Sequence, residues 1–399
     1  MKNYIQIEDP KDCCGCGACA SACPCGALTM KEDDLGFTYP SVDEALCVGC
    51  GKCSAVCVFG KRGVGEGGAP QVYAACTKDK DTLAASSSGG LFTELAAAVF
   101  AEGGVVFGAA FGEDFALRHI CVESEDDLAP LRGSKYVQSD TGDTFRAARE
   151  FLGGGRTVFY TGTPCQIAGL KSFLGKEYDH LLTADLICHG VPSVKMLRDD
   201  ISYMAGRKKI TPSEVKFRDK QYGWGVVGSL SDGKTKVKYS EVTSPYYFCF
   251  LGGEDYRDSC YNCRFPTEGR QGDITLGDYW GVPRETVSAL GATEDGGVSC
   301  ILVNTEKGKR WLERIAARVS LVPTDRASVE KRNKQLTRAS AMPPSRDALF
   351  AAYRKEGYPA FLRGYKKQYK KRVVVFVKSL IPKKVKRALA RMYGKIKGK

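Results

Sequence analysis

The sequence predicts a protein of the α+β or α/β class, with a small cysteine-rich head, a mixed α/β body and a basic helical tail. Three observations carry this prediction. Ten of the 18 cysteines lie between residues 13 and 57. The chain that follows alternates short apolar segments, which are typical of buried strands, with longer ones that are typical of helices. From residue 363 to the end there are 15 Lys or Arg and no acidic residue.

Composition limits the class of protein further. The chain has 399 residues, of which 43% are hydrophobic and 26% charged, as in ordinary globular proteins. At about 100–200 residues per domain, this length allows two or three domains. No apolar run reaches the roughly 18 residues of a membrane span, and the first residues lack the apolar segment of a signal peptide. We therefore expect a cytoplasmic protein, where structural disulfides are rare, so the cysteines need another role.

The cysteine spacing of the head is that of two ferredoxin runs. The first is Cys13-x2-Cys16-x2-Cys19-x3-Cys23-Pro24, and the second is Cys47-x2-Cys50-x2-Cys53-x3-Cys57. In two-cluster ferredoxins the fourth cysteine of one run binds the cluster of the other. We therefore expect one 4Fe-4S cluster on Cys13, Cys16, Cys19 and Cys57, and a second on Cys47, Cys50, Cys53 and Cys23. This arrangement makes the head ferredoxin-like.

Zinc is the alternative for the head, because four-cysteine zinc sites are also built from paired C-x2-C turns. Two complete runs with the same x2, x2, x3 spacing are much harder to obtain that way, so the spacing favours clusters. Cys14 and Cys25 are expected to fill space near the clusters. The glycine-rich stretch 60–70 fits G-x-G-x-x-G formally, but no strand precedes it and Ala-Pro follows, so we expect a linker.

The first half of the body contains a serine-glycine loop that opens a helix. Strands are predicted at 72–76 and 105–111, and a buried helix at 91–100. The loop Ser86–Gly90 precedes this helix, where it would present N–H groups and hydroxyls to an anion. A phosphate cradle and a plain serine cap of the helix are both open interpretations. A polar patch at Gly133–Tyr136 adds a cation, Lys135.

The second half of the body places cysteines where strands end. A strand at 157–160 is followed by Gly162-Thr163-Pro164-Cys165 and a helix that ends at Leu174; a strand at 182–187 is followed by Cys188-His189. Because ligands gather at strand ends in α/β folds, the two cysteines are candidates to meet. A further pair is Cys260-x2-Cys263. Spacing alone leaves a third metal or cluster site and a purely structural role as equal alternatives.

On these residues the chain resembles the beta subunits of the deazaflavin (factor 420) hydrogenases and dehydrogenases, here with an N-terminal two-cluster ferredoxin domain. The chlorophyll reductase of plants and bacterial proteins encoded near polysaccharide genes are similar. The resemblance runs from about Cys13 to Trp280 and weakens towards residue 330. It is carried by Ser86–Gly90, Gly133–Tyr136, Gly162–Gln166, Cys188–Ser193, Cys260-x2-Cys263 and Asp273–Trp280.

The resemblance implies a flavin-binding body with iron–sulfur clusters beside it. It implies a third 4Fe-4S cluster on Cys165, Cys188, Cys260 and Cys263. It also implies that FAD is bound by Ser87, Ser88, Gly89, Gly90, Gly133, Ser134, Lys135, Tyr136, Gly162, Thr163, Gly277 and Asp278.

Two residues are implied as catalytic. Lys135 would stabilise negative charge on the cofactor, with a solvated lysine as the alternative. His189 would donate a proton to the flavin or substrate, or only hydrogen-bond a sulfur. Asp278 would orient the flavin or cap a helix. His119 and His180 lie outside the motifs, and we expect surface or packing roles for them.

The predicted function is an FAD- and iron–sulfur-dependent oxidoreductase. FAD exchanges a hydride with a small organic partner, deazaflavin-like or other, and passes single electrons to clusters. The expected order is organic partner, FAD, inner cluster, head clusters, and then a redox partner protein such as ferredoxin or another member of a complex. Two alternatives are an electron-transfer subunit without its own small substrate and a cluster-bearing scaffold linked to polysaccharide biosynthesis.

The expected domains end in the basic tail. They are a two-cluster 4Fe-4S ferredoxin domain at 1–65, the N-terminal and C-terminal domains of a flavoprotein beta subunit, at 70–150 and 155–335, and the tail at 336–399. A basic amphipathic helix is predicted at 383–393. It would dock peripherally on an anionic membrane surface; acidic ferredoxin, nucleic acid and a solvated tail are the alternatives. The rest of the chain is nearly neutral, which argues against a general nucleic-acid surface.

Overall fold

A pair of antiparallel strands and two short helices form the head. In the computed structural model the described residues are 3–59, 69–368, 373–374, 376–377, 380–381 and 385. The elements of the head are α1 (Ala18–Ala22), β1 (Leu28–Glu32), β2 (Thr38–Val42) and α2 (Lys52–Ala55). Each helix begins after a glycine in the left-handed region, Gly17 at φ 78° and Gly51 at φ 71°. Both glycines directly follow the second cysteine of their run, so the two runs fold alike.

One large mixed sheet organises the body. The strands are β3 (Gln71–Thr77), β4 (Val105–Phe111), β5 (Leu117–Val122), β6 (Val158–Gly162), β7 (Leu181–Leu186), β8 (Glu214–Lys216), β9 (Gly228–Ser231), β10 (Lys236–Tyr239), β11 (Ile274–Asp278), β12 (Ser299–Val303) and β13 (Val319–Thr324). In the described part of the chain the large sheet has the order β13-β3-β12-β11-β7-β6-β4-β5, and β8 to β10 form a small antiparallel sheet.

The strand directions bring several strand ends to one edge of the large sheet. β4, β6, β7 and β11 run parallel to one another. β12 is antiparallel to β11, and β3 is antiparallel to β12, so β3 points the same way as β11. The carboxyl ends of β3, β6, β7 and β11 therefore share an edge, which is where ligands bind in open α/β sheets. The predicted mixed α/β body is confirmed.

Helices cover both faces of the large sheet. The helices after the head are α3 (Lys80–Ala85), α4 (Leu91–Ala101), α5 (Thr144–Gly153), α6 (Pro164–Leu174), α7 (Val194–Lys208), α8 (Pro245–Gly252), α9 (Asp258–Tyr261), α10 (Arg284–Ala289), α11 (Glu306–Arg314), α12 (Arg326–Glu330), α13 (Arg346–Glu356) and α14 (Tyr358–Lys367), of which α3, α4, α5, α6 and α11 lie against the sheet. Short 3-10 turns lie at Pro10–Asp12, Ala129–Leu131, Lys220–Tyr222 and Lys334–Leu336. Side chains of α4 and α11 share one core with the sheet, and those of α5 and α6 share another with Cys16 and Ala18 of the head. None of the described helices combines the length and apolar character that a membrane crossing needs.

Side chains of the body hold the head through its backbone. Arg146 on α5 donates from Nε to the carbonyl of Ser21 at 2.9 Å. Its Nη2 donates to the carbonyls of Ala20 and Cys23 at 3.0 and 3.1 Å. These carbonyls lie at the C-terminal end of α1, where intrahelical donors are missing. Arg146 of the body therefore supplies the hydrogen-bond donors that the last carbonyls of α1 lack.

The helices α13 and α14 pack against α7 and α8, within the stretch that the sequence assigns to the tail. Tyr358 donates its hydroxyl proton to Asp200 at 2.6 Å, and Tyr353 donates to Asp199 at 2.5 Å. Phe361 is fully buried in the same core. The linker expected at 60–70 lies outside the described residues up to 68, and the basic helix expected at 383–393 lies outside them except at 385.

Two buried aspartates hold β7 against β11. Asp185 accepts a hydrogen bond from the Thr275 hydroxyl at 2.5 Å, and Asp273 accepts from the Thr183 hydroxyl at 2.7 Å. Arg270 Nη2 lies 3.3 Å from Asp185 Oδ1, and both side chains are almost fully shielded from solvent. A buried ion pair of this kind becomes costly when one partner is removed, because the other charge stays buried without compensation.

We expect Asp185→Asn to lower the free energy of unfolding by about 3–5 kcal/mol, since it leaves the Arg270 charge unpaired. The matched control is Glu102→Gln, which removes an exposed ion pair with Arg314 and should cost less than about 1 kcal/mol. Urea unfolding under argon, followed by far-UV circular dichroism, measures both. Equal losses in the two variants would contradict the role given to Asp185.

Candidate functional site

The structure brings the first predicted cysteine set together at the base of the head. Burial raises the pKa of the Cys13 and Cys19 thiols, and the charges of Cys16 and Cys57 raise it further. The N–H of Gly15 points at Cys13 Sγ, 3.4 Å away. N–H donors of this kind tune iron–sulfur clusters. The four cysteines are thus neighbours, as the crossed ferredoxin pairing requires.

The second set lies around a small cavity on the outer side of the head. Cys23, Cys47, Cys50 and Cys53 all line it, and Cys25 lines it as well. The N–H of Ile5 donates to Cys53 Sγ at 3.3 Å. In this set Cys50 is exposed and Cys53 is buried, whereas in the first set Cys16 and Cys19 are buried and Cys13 and Cys57 are partly buried, so the second set is the more open to solvent.

The third set converges in the body. Cys165 is on the first turn of α6, Cys188 follows β7, Cys260 is on α9, and Cys263 follows two residues after α9. Burial raises the pKa of Cys188, and it raises the pKa of Cys260 to about 12 and of Cys263 to about 11, with other thiols of the set adding to each rise. Three segments that are distant in sequence therefore bring four thiols together.

Cys14 links the first set to the third. Cys14 packs in the same core as Cys16 of one set and Cys165 of the other. Interaction with these two thiols raises the pKa of Cys14 and lowers that of Cys165 to about 7. Gly169 on α6 packs against Cys16, where an added Cβ would lie 3.0 Å from the sulfur. Cys14, which the sequence predicts to fill space near the clusters, lies between the first and the third cysteine sets.

Among residues 3–59 and 69–368 no group of three His, Cys, Asp or Glu side chains is placed to hold one ion. A 4Fe-4S core takes its four thiolates on separate irons, so its ligands spread more widely than those of one ion.

A cavity of about 320 Å³ lies at the shared carboxyl edge of β3, β6, β7 and β11. Its wall includes nearly all the residues proposed for the flavin: Ser87, Ser88, Gly90, Gly133, Ser134, Lys135, Tyr136, Gly162, Thr163, Gly277 and Asp278. His189 and Cys188 also line it. Gly89 does not; its N–H donates to Ser299 Oγ at 2.9 Å, and an added Cβ would overlap the carbonyl of Ala75.

Four residues of the cavity wall each carry one buried polar atom that has no hydrogen-bond partner among the described residues. These atoms are Ser88 Oγ, Thr93 Oγ1, His119 Nδ1 and Arg132 Nε. Buried polar atoms are almost always satisfied in folded proteins, so these exceptions make the surroundings of this cavity a candidate ligand site.

The N-terminus of α4 faces the same ligand space. The predicted serine cap is wrong, because Gly90 at φ 86° is the N-cap and no side chain caps the helix. The first N–H groups of α4 are therefore free of a side-chain acceptor, and Thr93 sits in its first turn. Free N–H groups, hydroxyls and an arginine together suit an anion such as a phosphate.

Lys220, which the sequence analysis missed, holds the serine-glycine loop in shape. Its Nζ donates to the carbonyls of Leu83, Ser86 and Ser88 at 3.2, 3.0 and 2.8 Å. Burial lowers its pKa to about 8. It lies more than 130 residues from the loop in the sequence, so no local pattern could have found it.

Lys135 points its ammonium group at backbone carbonyls. Nζ donates to the carbonyls of Arg132 and Gly133 at 2.9 and 3.4 Å, and no carboxylate of the described residues pairs with it. Burial lowers the pKa of Lys135 to about 7. The group is therefore poised between its charged and neutral forms near neutral pH, and an anion bound beside it would favour the charged form.

Asp278 is held by two residues that the sequence analysis missed. It accepts hydrogen bonds from Arg218 and, at 2.7 Å, from Trp224 Nε1. Trp224 stacks on Trp280 with ring centroids 4.9 Å apart. The carboxylate is thus fixed at the cavity wall rather than capping a helix. Burial lowers the pKa of His189 on the same wall.

The two other histidines differ in their surroundings. His180 Nε2 lies 2.9 Å from the carbonyl of Leu152, a packing role as expected. His119 instead lines the cavity: its Nε2 donates to the carbonyl of Thr161 at 2.9 Å, and burial lowers its pKa to about 4. The expectation that His119 only packs is incomplete, because its neutral ring leaves Nδ1 as a free acceptor.

Three family models match the chain. Two of them describe the N-terminal and C-terminal parts of the coenzyme F420 hydrogenase/dehydrogenase beta subunit, and they match residues 72–144 and 155–326. A 4Fe-4S dicluster domain matches residues 12–61. Among solved structures, a chain of the F420-reducing NiFe hydrogenase complex from Methanosarcina barkeri is 17% identical over 76% of this chain and 92% of that chain, with a TM-score of 0.46. No curated protein matches the sequence.

The Thr93 hydroxyl, which has no hydrogen-bond partner among the described residues, leads to a prediction about the free energy of unfolding. Thr93→Val keeps the shape but removes an unsatisfied buried hydroxyl, so without ligand it should be neutral or up to about 1 kcal/mol more stable. The matched control is Thr141→Val, because the Thr141 hydroxyl is buried and donates to the carbonyl of Cys16 at 3.0 Å. That variant should lose about 1–3 kcal/mol. Thermal unfolding compares them, and a similar loss in both would refute the ligand-facing role of Thr93.

Proposed function

Since the chain belongs to the coenzyme F420 hydrogenase/dehydrogenase beta-subunit family and carries an iron–sulfur dicluster domain, we propose that it is a flavin-dependent oxidoreductase. In this proposal it passes electrons between a small organic hydride donor or acceptor and a redox partner protein. Membership of the family makes it an iron–sulfur electron-transfer protein. The FAD, the third cluster, the substrate and a cytoplasmic location, with the basic tail at a membrane surface, belong to the proposal.

One observation carries the proposal: the cavity with four unpartnered polar atoms shares its wall with the third cysteine set. Cys188 and His189 line the cavity, and Cys188 is grouped with Cys165, which contacts Cys14 of the head. A cofactor in the cavity would therefore lie beside the inner set, and the inner set beside the first set of the head. This gives one continuous path from an organic molecule to the exposed outer set.

The cavity wall fits a flavin dinucleotide. The N-terminus of α4, Ser88, Thr93 and Arg132 would hold its diphosphate, since they supply unpaired N–H and hydroxyl donors and a cation. Bound FAD supplies the conversion between hydride transfer and single-electron transfer. Lys135 would place positive charge beside it, and Asp278 would hold the opposite wall at a fixed distance.

The cysteine sets fit 4Fe-4S clusters. In each run of the head a left-handed glycine follows the second cysteine, which lets the backbone wrap a core closely. Backbone N–H groups point at Cys13 and Cys53. The cysteines of the three sets are all free thiols. The crossed assignment of fourth cysteines agrees with the neighbours that each set has.

The exposed outer set favours one alternative function. Leu46 and Val48, which flank Cys47, are 54% and 68% exposed, and an apolar surface beside a solvent-accessible redox site suits contact with another protein. An electron-transfer subunit that never meets a small substrate would use the same surface. Its flavin would be reduced by a partner protein only, whereas the main proposal requires reduction by a small molecule such as a reduced deazaflavin. A cluster-bearing scaffold would hold no flavin.

We expect protein purified without oxygen to contain about twelve irons, as three 4Fe-4S clusters, and about one FAD per chain. Iron, acid-labile sulfide and released flavin are measured together. Eight irons with FAD would return the third set to a structural role. Iron without flavin would leave an electron carrier or scaffold.

Replacement of one cysteine of the third set tests its assignment. Cys165→Ser should lower the iron content from about twelve to about eight per chain, because one cluster loses a ligand. The control is Cys76→Ser, since Cys76 is buried on β3 outside the three sets and should leave the iron unchanged. An unchanged iron content in Cys165→Ser would contradict the third cluster.

The pKa of Lys135 predicts how FAD affinity depends on pH. Bound diphosphate or flavin anion would raise this pKa above its value of about 7, so binding takes up a proton. FAD affinity should be constant below pH 7 and fall as pH rises above it. Fluorescence titration of the flavin-free protein measures this, and Lys135→Met should bind more weakly with no such fall. A fall of equal size in Lys135→Met would assign the pH dependence to another group.

A further inference from the structure

A buried arginine lies at the junction between the first and third cysteine sets. The side chain of Arg257, the residue before α9, has no exposed surface. Its Nε donates to the carbonyl of Cys13 in the head at 2.7 Å, and its Nη1 donates to Gln138 Oε1 at 3.2 Å. The guanidinium lies over the ring of Tyr39, 4.0 Å from its centroid. Head and body both contribute to this pocket.

Arg257 has no carboxylate partner among the described residues, and its Nη2 has no hydrogen-bond acceptor. Other buried arginines are paired: Arg270 with Asp185 and Arg218 with Asp278. A buried cation without a counter-charge is strongly disfavoured, so something anionic is expected beside Arg257.

The ionisable groups that act on the charge of Arg257 are the Cys13 thiol, the Tyr39 phenol, the Cys14 thiol and the Cys260 thiol. Cys13 belongs to the first set and Cys260 to the third, so the guanidinium stands between two sets. Four thiolates outweigh the positive charge of a 4Fe-4S core, so each loaded set would be net negative. Loaded sets on both sides would supply the missing counter-charge.

We propose that Arg257 is the shared counter-cation of the head cluster on the first set and the inner cluster on the third set, and that it raises the reduction potentials of both. The inference rests on the proposed function, because it requires both clusters. Reduction adds negative charge to a site that is already negative. A fixed cation in a poorly polarisable interior stabilises the reduced form more than the oxidised form. One arginine would therefore adjust both potentials in the same direction.

The geometry also predicts how lysine would perform at this position. Lysine keeps the positive charge but lacks the planar fork that reaches Cys13 and Gln138 at once. Arg257→Lys should therefore retain part of the rise that Arg257 causes in the two reduction potentials. Arg257→Gln removes the positive charge and with it the whole rise. The comparison separates charge from packing.

The test is a redox titration of the full chain, purified without oxygen and monitored by electron paramagnetic resonance. Arg257→Gln should shift two of the three cluster potentials to more negative values and leave that of the outer set unchanged. Arg257→Lys should give a smaller shift of the same two. The control is Arg146→Gln, which removes bonds to three head carbonyls but is over a third exposed and paired with Asp143. It should leave the potentials of the first and third sets unchanged.

The outcomes separate a failure of this proposal from a failure of the proposed function. If wild-type protein holds only eight irons, the inner cluster is absent, the third set returns to a structural role, and the shared role of Arg257 fails with it. If wild-type holds twelve and Arg257→Gln holds twelve with unchanged potentials, Arg257 is not the counter-cation. Loss of iron in Arg257→Gln but not in Arg257→Lys supports it, because charge is then required for loading. Loss in both variants refutes it in favour of packing.

Discussion

The position of the head on the body depends on one kind of interaction: buried side chains of the body donate hydrogen bonds to backbone carbonyls of the first cysteine run. Arg257 binds the carbonyl of Cys13, Gln138 that of Cys14 and Thr141 that of Cys16. These three bonds fix the loop that carries the first set against the body. The three bonds of Arg146 and the packing of Cys16 against Gly169 act with them to set the separation of the first and third cysteine sets.

The large sheet determines where the candidate site lies in the body. Parallel strands end at a common edge: the serine-glycine loop lies between α3 and α4, Thr163 and Cys188 follow β6 and β7, and Asp278 is the last residue of β11. The same edge thus holds the candidate flavin site and part of the inner cysteine set. Cys188 of that set and His189 of the cavity wall are consecutive residues.

Local sequence patterns predicted much of the site, and the remainder depends on distant contacts. Cysteine spacing predicted which cysteines of the head are grouped, and apolar runs predicted the bounds of β4 and the end of α6 at Leu174, because these signals lie within a few residues. Lys220, Arg218 and Arg257 could not be found this way. Each is an isolated cation whose role arises only when the fold places it beside residues far away in the sequence. The serine cap of α4 was wrong because Gly90 turns the backbone first.

The carbonyl bonds between body and head also bear on how the two parts can change in evolution. A carbonyl oxygen is present whichever side chain a residue carries. These hydrogen bonds therefore depend on the backbone course of the head loop and not on its side chains. Substitutions between the cysteines of the head are therefore open where the loop keeps its course, except at Gly15 and Gly17, where an added Cβ would lie 2.5 Å from Gln138 Nε2 and 2.3 Å from Thr141 Oγ1. The opposite holds for Gln138, Thr141 and Arg257, whose side chains make the bonds. Substitutions should therefore be tolerated more often on the head side of this interface than on the body side.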